Sequence, residues 1–372
     1  MMIPKVPFED VFTDESGGNI KTPQSEYKSS GQFAVVDQGK ALVAGYVDDE
    51  ARLCGGGRSA IVFGDHTRCL KYVDFPFCMG ADGVKVLRPK VDANLKYLYY
   101  YLKQIKIPDA GYDRHYKYLK RTDVLLPPLT EQIRIAAILD QADALRVKRR
   151  EALAQLDSLT QAMFIDMFGD PVTNPKGFAV VPLQSVIYFQ EGPGVRNWQF
   201  RTEGIKLLNV GNIVNGKLAL GKTDRHLDPS EVEKKYKHFL LNEGDLVVAS
   251  SGVTWGKIAE VEAHHLPLCL NTSVIRLRPL ANSITNPYIR AFVESTTFRK
   301  QIARIITGSA QPNFGPAHLK QVQVMLPPIE MLNKFSLYVA TLDRLKETNR
   351  ASLTELDNLF ISLQHRAFRG EL

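Results

Sequence analysis

LKRTDVLLPPLTEQIRIAAILDQADALRVKRREALAQLDSLTQAMFIDMF, residues 119–168, and LKQVQVMLPPIEMLNKFSLYVATLDRLKETNRASLTELDNLFISLQHRAF, residues 319–368, lie 200 positions apart and align without a gap. Fourteen of the fifty positions are identical, among them Pro127, Pro128, Asp143, Leu145, Arg150, Leu156, Asp157 and Phe168. Average composition would give about three. A match of this length marks an internal repeat, and the repeat organises the rest of the chain.

Each copy has the same grammar. A short apolar strand ends in Leu-Pro-Pro, and two prolines without backbone N–H groups stop a strand. Thr130 is expected to cap the helix that follows, with Glu131 in its electropositive first turn. Positions 135, 138, 142, 145, 149, 152, 156, 159 and 163 read Ile, Ile, Ala, Leu, Arg, Ala, Leu, Leu, Met, and their counterparts read Phe335, Tyr338, Leu342, Leu345, Asn349, Ser352, Leu356, Leu359, Leu363. Both are heptad seams with one polar interruption, Arg149 and Asn349, at the same place. Neither run contains Gly or Pro before residue 168 or 368. About 38 residues at about 1.5 Å each give roughly 57 Å of helix, too long to lie within one small globule. The matching seams predict that the two helices pair, antiparallel. An amphipathic helix lying on its own globule is the plainer alternative for either one alone.

This gives an α+β chain in four parts: a mixed α/β globule over 1–128, a long helix over 129–170, a second globule over 171–328 and a second long helix over 329–372. The globules read as short β runs such as SAIVF, VKVLRP, DLVVAS and TSVIRLRP with short helices between them. GDPVTNPKGF, residues 169–178, is a turn-rich link out of the first helix.

With 372 residues the chain has room for two or three full cores. No run of 18 apolar residues predicts a membrane span, and MMIPKVPFEDVF does not read as a signal peptide. Cys54, Cys69, Cys78 and Cys269 form no C-x-x-C pair, which favours a reducing cytoplasm over a disulfide framework or a structural zinc. The net charge of +7 is concentrated: residues 171–328 hold 18 basic and 11 acidic residues, a balance of +7, while the remaining segments cancel. A polyanion such as DNA is the partner such a segment suits; a merely soluble basic surface is the alternative.

GKLALGKT, residues 216–223, fits the P-loop pattern letter for letter. A working P-loop leaves a strand and opens a buried helix. Here the interior is apolar and branched, and DRHLDPSEVEKKY follows with no apolar face. Asn215-Gly216 reads instead as a hairpin tip, with KLALGK as the returning strand. No Asn-Pro-Pro-Tyr or Asp-Pro-Pro-Tyr is present to grip a flipped adenine. His264-His265 has no ligand-spaced partner and suits a surface or capping role. CGGGRS at 54–59 could cradle a phosphate with its amides or be a flexible turn. No catalytic, cofactor or metal constellation is expected in this chain.

LPPLTEQIRIAAILDQADAL resembles the conserved-region signature of the specificity subunits of type I restriction–modification systems. IKLLNVGNIVNGKL, GDLVVASSGVTWGKIA and NTSVIRLRP resemble consecutive parts of that family's target-recognition domain. VVDQGKALVAGYVDD, GYDRHYKYLKRTDVLLPP and GSAQPNFGPAHLKQVQVMLPP resemble others, so the likeness covers nearly the whole chain. The second copy departs at LPPIEML, which loses the Glu-Gln of the first and puts different contacts at the start of that helix. The first globule is short and begins directly at VPFEDVF, so part of its usual N-terminal portion is expected to be missing. The resemblance implies two target-recognition domains that read the halves of a bipartite, asymmetric DNA sequence. It implies helices that set the gap and hold two methyltransferase subunits. It also implies S-adenosylmethionine and ATP on partner subunits, the ATP on a restriction–translocase subunit. A helical scaffold that binds only proteins is the competing reading.

Base edges are read by Arg, Lys, Asn, Gln, Ser and Thr, and phosphates attract Lys, Arg and backbone amides. In the first globule the candidates are Gln38, Arg58, Arg68, Lys71, Arg114, His115, Tyr116 and Lys117; YDRHYKYLK interleaves basic and aromatic residues, which suits backbone contact and stacking. In the second they are Arg196, Ser250, Ser251, Thr254, Lys257, Asn271, Gln311 and Asn313, all in polar loops beside predicted strands.

Overall fold

Three small sheets recur in the same order in the two halves of the chain. The computed structural model describes residues 3–109, 111, 113–221, 225–280, 283–306 and 313–372. It divides into two units, Met1–Arg150 with Ala351–Leu372, and Glu151–Arg350.

Unit 1 opens with β1 (Lys5–Pro7), α1 (Phe8–Val11) and β2 (Phe12–Asp14), followed by β3 (Phe33–Val36), β4 (Gly45–Val47), β5 (Ala60–Gly64), β6 (Leu70–Val73), β7 (Phe77–Met79) and β8 (Val84–Pro89). Then come α2 (Leu95–Gln104), α3 (Tyr116–Leu119), β9 (Asp123–Leu125) and the long helix α4 (Leu129–Phe168). Its sheets run β1-β9, β2-β8-β5-β6 and β4-β3-β7, with β3 and β7 parallel. After α4 the chain forms β10 (Ala179–Pro182), β11 (Ile187–Glu191), β12 (Ile205–Leu208), β13 (Ile213–Val214), β14 (Lys217–Leu218), β15 (His226–Leu227) and α5 (Pro229–Glu231). It continues through β16 (Leu246–Ala249), β17 (Ile258–Glu260), β18 (Leu268–Leu270), β19 (Val274–Pro279), α6 (Asn286–Glu294), α7 (Thr296–Ile305), α8 (Pro316–Leu319), β20 (Gln323–Leu326) and α9 (Ile329–Ala367). The sheets of unit 2 run β10-β20, β11-β19-β16-β17 and β15-β12-β18, with β12 and β18 parallel. Each sheet of unit 1 thus has its counterpart in unit 2. Among the described residues the hairpin β13–β14 and helix α7 belong to unit 2 alone.

The P-loop lookalike folds as that hairpin. Ile213 pairs with Leu218 and Val214 with Lys217, and Asn215 and Gly216 turn the tip at φ of 50° and 74°. Lys222 and Thr223 lie outside the described residues. The returning strand is shorter than KLALGK suggested, ending at Leu218.

Each core is closed by the start of one long helix and the end of the other. In unit 1, Ile135 and Leu139 of α4 and Phe360 and Phe368 from the C-terminal segment share a buried cluster with Tyr97 and Tyr101 of α2. Phe368 meets Tyr101 edge-on at 5.1 Å. In unit 2, Phe164 and Phe168 pack on Tyr288 of α6 and Phe335 of α9, with Phe168 edge-on to Tyr288 at 4.9 Å. The buried hydroxyls find equivalent acceptors: Tyr97 donates to the carbonyl of Leu125 at 2.8 Å and Tyr288 to that of Met325 at 2.9 Å.

The helices do not start as expected. α4 begins at Leu129, so Thr130 stands inside the first turn and caps nothing. The carbonyl of Pro128 receives Glu131 and Gln132 N–H groups instead, and the buried Gln132 side chain donates to the carbonyl of Pro127 at 2.8 Å. In the second copy Leu332 is buried in Gln132's place and Met331, in Glu131's place, packs against the same core.

Within each unit the helix portions run antiparallel. In unit 1 Arg134 reaches the carbonyl of Leu372 and Arg146 reaches Asp357 at 2.6 Å; in unit 2 Phe168 meets Phe335, and Asp157 meets Lys346 at 3.1 Å. Half of the heptad reading holds: Ile135, Ala142, Phe335 and Leu342 are buried and Arg149, Leu156, Met163, Asn349, Leu356 and Leu363 half-buried. The other half is shifted by one residue. Leu139, Arg146, Leu153, Val339, Lys346, Leu353 and Phe360 face inward, while Leu145, Leu159, Leu345 and Leu359 are 52, 41, 46 and 48% exposed. At two of these places a long basic side chain buries its stem and carries its charge to an acidic partner across the seam. Arg146 does so beneath the ring of Phe360 (4.3 Å), and Lys346 repeats the arrangement 200 positions later. Asp357 also binds Arg150 at 3.0 Å. Asp357→Lys, facing two guanidinium groups, is therefore expected to lower stability by about 1 kcal/mol, and Asp157→Lys by less. Thermal melts at low salt and in about 1 M NaCl, where exposed charges are largely screened, should show the difference shrink.

Candidate nucleic-acid interface

Most of the candidate residues gather at one end of the sheets in each unit, where β3 and β7, or β12 and β18, finish beside a hairpin loop; Arg58 instead precedes β5, at the opposite end of that strand, and Arg196 lies in the β11–β12 connection. In unit 1 the hub is Asp65, buried just beyond the last residue of β5. Its carbonyl accepts the His115 N–H at 2.8 Å and its carboxylate accepts the Tyr116 N–H at 2.7 Å. This docks the segment before α3 against the β5–β6 loop. Gln38 joins them, its side-chain oxygen accepting the His66 N–H at 3.3 Å. Lys71 is buried and donates to the carbonyl of Asp37 at 2.7 Å, burial holding its pKa below the usual lysine value. His115 is buried as well, with Nδ1 3.0 Å from the Asp65 carbonyl. Tyr116 packs on Phe8 and Phe63, and burial raises its pKa. In the alternating run YDRHYKYLK, His115 and Tyr116 thus turn inward, while Arg114 and Lys117 stay exposed, Lys117 paired with Asp113 at 2.6 Å; Tyr112 lies outside the described residues. Arg68 pairs with Asp109 and exposed Arg58 with Glu15, both at 2.9 Å. Gly55, Gly56 and Gly57 of the CGGG turn all have positive φ, which only glycine adopts cheaply.

Unit 2 builds the same end with different side chains. Ser250, the residue after β16, accepts the Phe314 N–H on its carbonyl at 3.0 Å and donates its own N–H to Ser273 at 2.9 Å. Its hydroxyl is buried with no hydrogen-bond partner among the described residues. Ser251 bridges to Asn313, which joins the β16–β17 loop to the segment before α8. Asn271, after β18, is buried and donates to the side chain of Asn209, after β12, at 2.7 Å. Thr254 is half-buried, and Arg196 and Lys257 are exposed. Gln311 lies outside the described residues. His265 takes the capping role, its Nδ1 accepting the Glu262 N–H at 2.9 Å.

Sequence reasoning missed three side chains here. Trp198 is 71% exposed on a turn anchored by buried Gln199, and Val253 is 95% exposed at the tip of the β16–β17 loop. Arg299 of α7 lies over the ring of Trp255 at 5.1 Å. An apolar letter in a polar loop does not say which way it points; only Trp198's company, Arg196-Asn197-Trp198, hinted at an outward turn.

The loops therefore offer hydroxyl, amide and basic groups at one edge of each unit, a donor and acceptor set suited to base edges and phosphates. The model of the type I restriction modification DNA specificity domain matches residues 10–156 and again residues 178–358. The chain belongs to that family. The family is one of specificity domains rather than of catalytic ones. The specificity subunit of type I restriction enzyme MjaVIII of Methanocaldococcus jannaschii is 24% identical over 271 residues, 69% of this chain and 63% of that protein. This specificity-domain chain thus spans less than two thirds of that relative's length. The MjaIX specificity subunit of the same organism is 23% identical over 317 residues, 78% of this chain and 72% of the relative. The crystal structure of a type I restriction–modification S subunit from M. genitalium superposes with a TM-score of 0.60 at 16% identity, over 99% of this chain and 96% of that one. That likeness shows the fold. Among the described residues no helix is long and apolar enough to cross a membrane.

If the exposed basic residues of the second specificity domain hold phosphates, Arg196→Glu with Lys257→Glu weakens binding to every duplex alike, by roughly tenfold or more, and flattens the salt dependence by about two counterions. Fluorescence titrations of the protein with labelled duplexes, at several salt concentrations, measure both. An unchanged affinity would place these residues away from the backbone.

Proposed function

We propose that the chain reads a bipartite, asymmetric DNA sequence, one half with each unit, and carries two methyltransferase subunits on its long helices. The observation that bears most weight is the pairing of sameness and difference at the two sheet ends. The strands correspond, yet the β5–β6 loop of unit 1 presents His66 and Arg68 where the β16–β17 loop of unit 2 presents Ser251 and Thr254, and Gln38 follows β3 where Asn209 follows β12. One scaffold with two sets of reading groups suits two different half-sites.

The exposed leucines support the docking. In unit 2, Leu159 and Leu345 line a groove of about 420 Å³ with Ala152, Leu156 and Ala162. Their counterparts Leu359 and Leu145 in unit 1 are exposed too. Two equivalent apolar patches call for two copies of one partner. Adenine methylation then takes place on those partners with their S-adenosylmethionine, and ATP is used by a further restriction–translocase subunit. The chain itself binds neither cofactor and works in the cytoplasm, where the chromosome is.

The test is an exchange. Residues 179–318 are replaced by the matching segment of a relative with another target, and methylated adenines are mapped across a genome. One half-site should change and the other persist. A scaffold that does not read DNA would leave the methylation pattern as it was.

A further inference from the structure

Val253 has the most exposed large apolar side chain among the described residues, and nothing in the fold uses it. Its position is nevertheless fixed. Trp255 N–H donates to the carbonyl of Gly252 at 3.2 Å and Gly256 N–H to that of Ala249 at 2.8 Å, so Val253 and Thr254 form the tip of a closed turn. Gly252 and Gly256 have φ of 78° and 81°, conformations that favour glycine. Trp255 clamps the base of the turn, edge-on to Phe314 at 6.0 Å and with Arg299 over its ring at 5.1 Å. The turn presents one branched hydrocarbon group among hydrogen-bonding neighbours, Ser251, Thr254, Lys257 and Asn313.

A DNA duplex shows one feature that matches such a group. Thymine projects its 5-methyl into the major groove, beside the donors and acceptors of the neighbouring base edges, and apolar side chains pack against it. Valine has a single stiff torsion, so holding it in contact costs little entropy. It is shorter than the Phe, Leu, Ile and Met wedges that pry base steps apart. We propose that Val253 packs on the methyl group of a thymine in the half-site read by unit 2 and so selects that base. This rests on the DNA reading above and names the contact that the β16–β17 loop makes.

Deoxyuridine differs from thymidine only by that methyl, which makes it the probe. Once methylome mapping has given the half-sites, each thymine of both strands in the unit 2 half-site is replaced in turn by deoxyuridine. Affinity is measured for the complex with its methyltransferase subunits, wild type and Val253→Ala. At one position the wild-type complex should bind the deoxyuridine duplex about fourfold more weakly, the equivalent of one methyl left unburied. Val253→Ala should bind both duplexes alike there, with its melting temperature unchanged. The inference fails if the variant keeps the wild-type preference at every thymine, if the wild type has no preference, or if the half-site holds no thymine. It also fails if Val253→Ala loses methyltransferase subunits rather than the preference. The underlying reading fails separately, if exchanging residues 179–318 leaves both half-sites as they were.

Discussion

Leu159→Glu with Leu345→Glu, if the long helices dock methyltransferase subunits as proposed, is expected to remove one of them from the complex and to leave the chain folded. The two leucines are 41 and 46% exposed, so a carboxylate at either place remains in water while the chain is alone. Neither packs in the buried cluster of unit 2, which rests on Phe164, Phe168, Tyr288 and Phe335. The melting temperature should therefore stay within about 2 °C of wild type, as for ordinary surface changes. In the complex the outcome differs. Burying the exposed parts of two leucines against a partner is worth about 2–4 kcal/mol together, and two unpaired carboxylates in their place cost more. A loss of at least about 100-fold in affinity for that partner follows. Leu145→Glu with Leu359→Glu should remove the other copy, and the quadruple variant should bind none and support no methylation. Native mass spectrometry of the reconstituted complexes counts the copies. If the quadruple variant still carries two methyltransferase subunits, the helices dock them through another face.

The seam that exposes these leucines also shows how far the sequence could be read. Fourteen identities at one offset gave the repeat, the two long helices and their antiparallel pairing, because prolines, helix length and heptad spacing act locally. The hairpin at Asn215-Gly216 was equally legible, since its turn chemistry is set by two residues. The facing of the seam was not. Leu145 and Arg146 compete for one inward column, and spacing favours leucine; Asp357 and Phe360, across the seam and more than 200 positions away, join Asp143 in holding arginine there. The candidate interface divides in the same way. That polar loops cluster was readable from their place after strands. That Lys71, His115 and Asn271 turn inward was not, because their partners Asp37, Asp65 and Asn209 are supplied by other loops. Val253 and Trp198 are the converse case, apolar letters whose exposure depends on the turn that carries them.

If the two units read separate half-sites as proposed, lengthening both helices by one turn is expected to lengthen the unread gap between those half-sites by one to two base pairs. Four residues are added after Arg150 in α4 and four after Arg350 in α9, where the chain passes from one unit to the other. Both insertions are needed. Arg146 binds Asp357 in unit 1 and Lys346 binds Asp157 in unit 2, so the helices are tied to each other on both sides of that point. An insertion in α4 alone would pull one of these pairs four residues out of register and turn Leu156 or Ile135 away from its partner. Matched insertions keep both pairs and both cores, because no residue of either cluster is displaced within its own unit. Ala-rich sequence with Glu and Lys keeps the added turn helical. Four residues add about 6 Å, against about 3.4 Å for each stacked base pair. No reading loop is touched, so both half-site sequences should persist while the spacer grows, and sites with the original spacer should lose methylation. Exchanging residues 179–318 should do the opposite, changing one half-site at constant spacer. Methylome mapping of the doubly inserted variant decides the point: an active complex that keeps the old spacer, or that changes either half-site, would mean that the helices hold the units without measuring the distance between their targets.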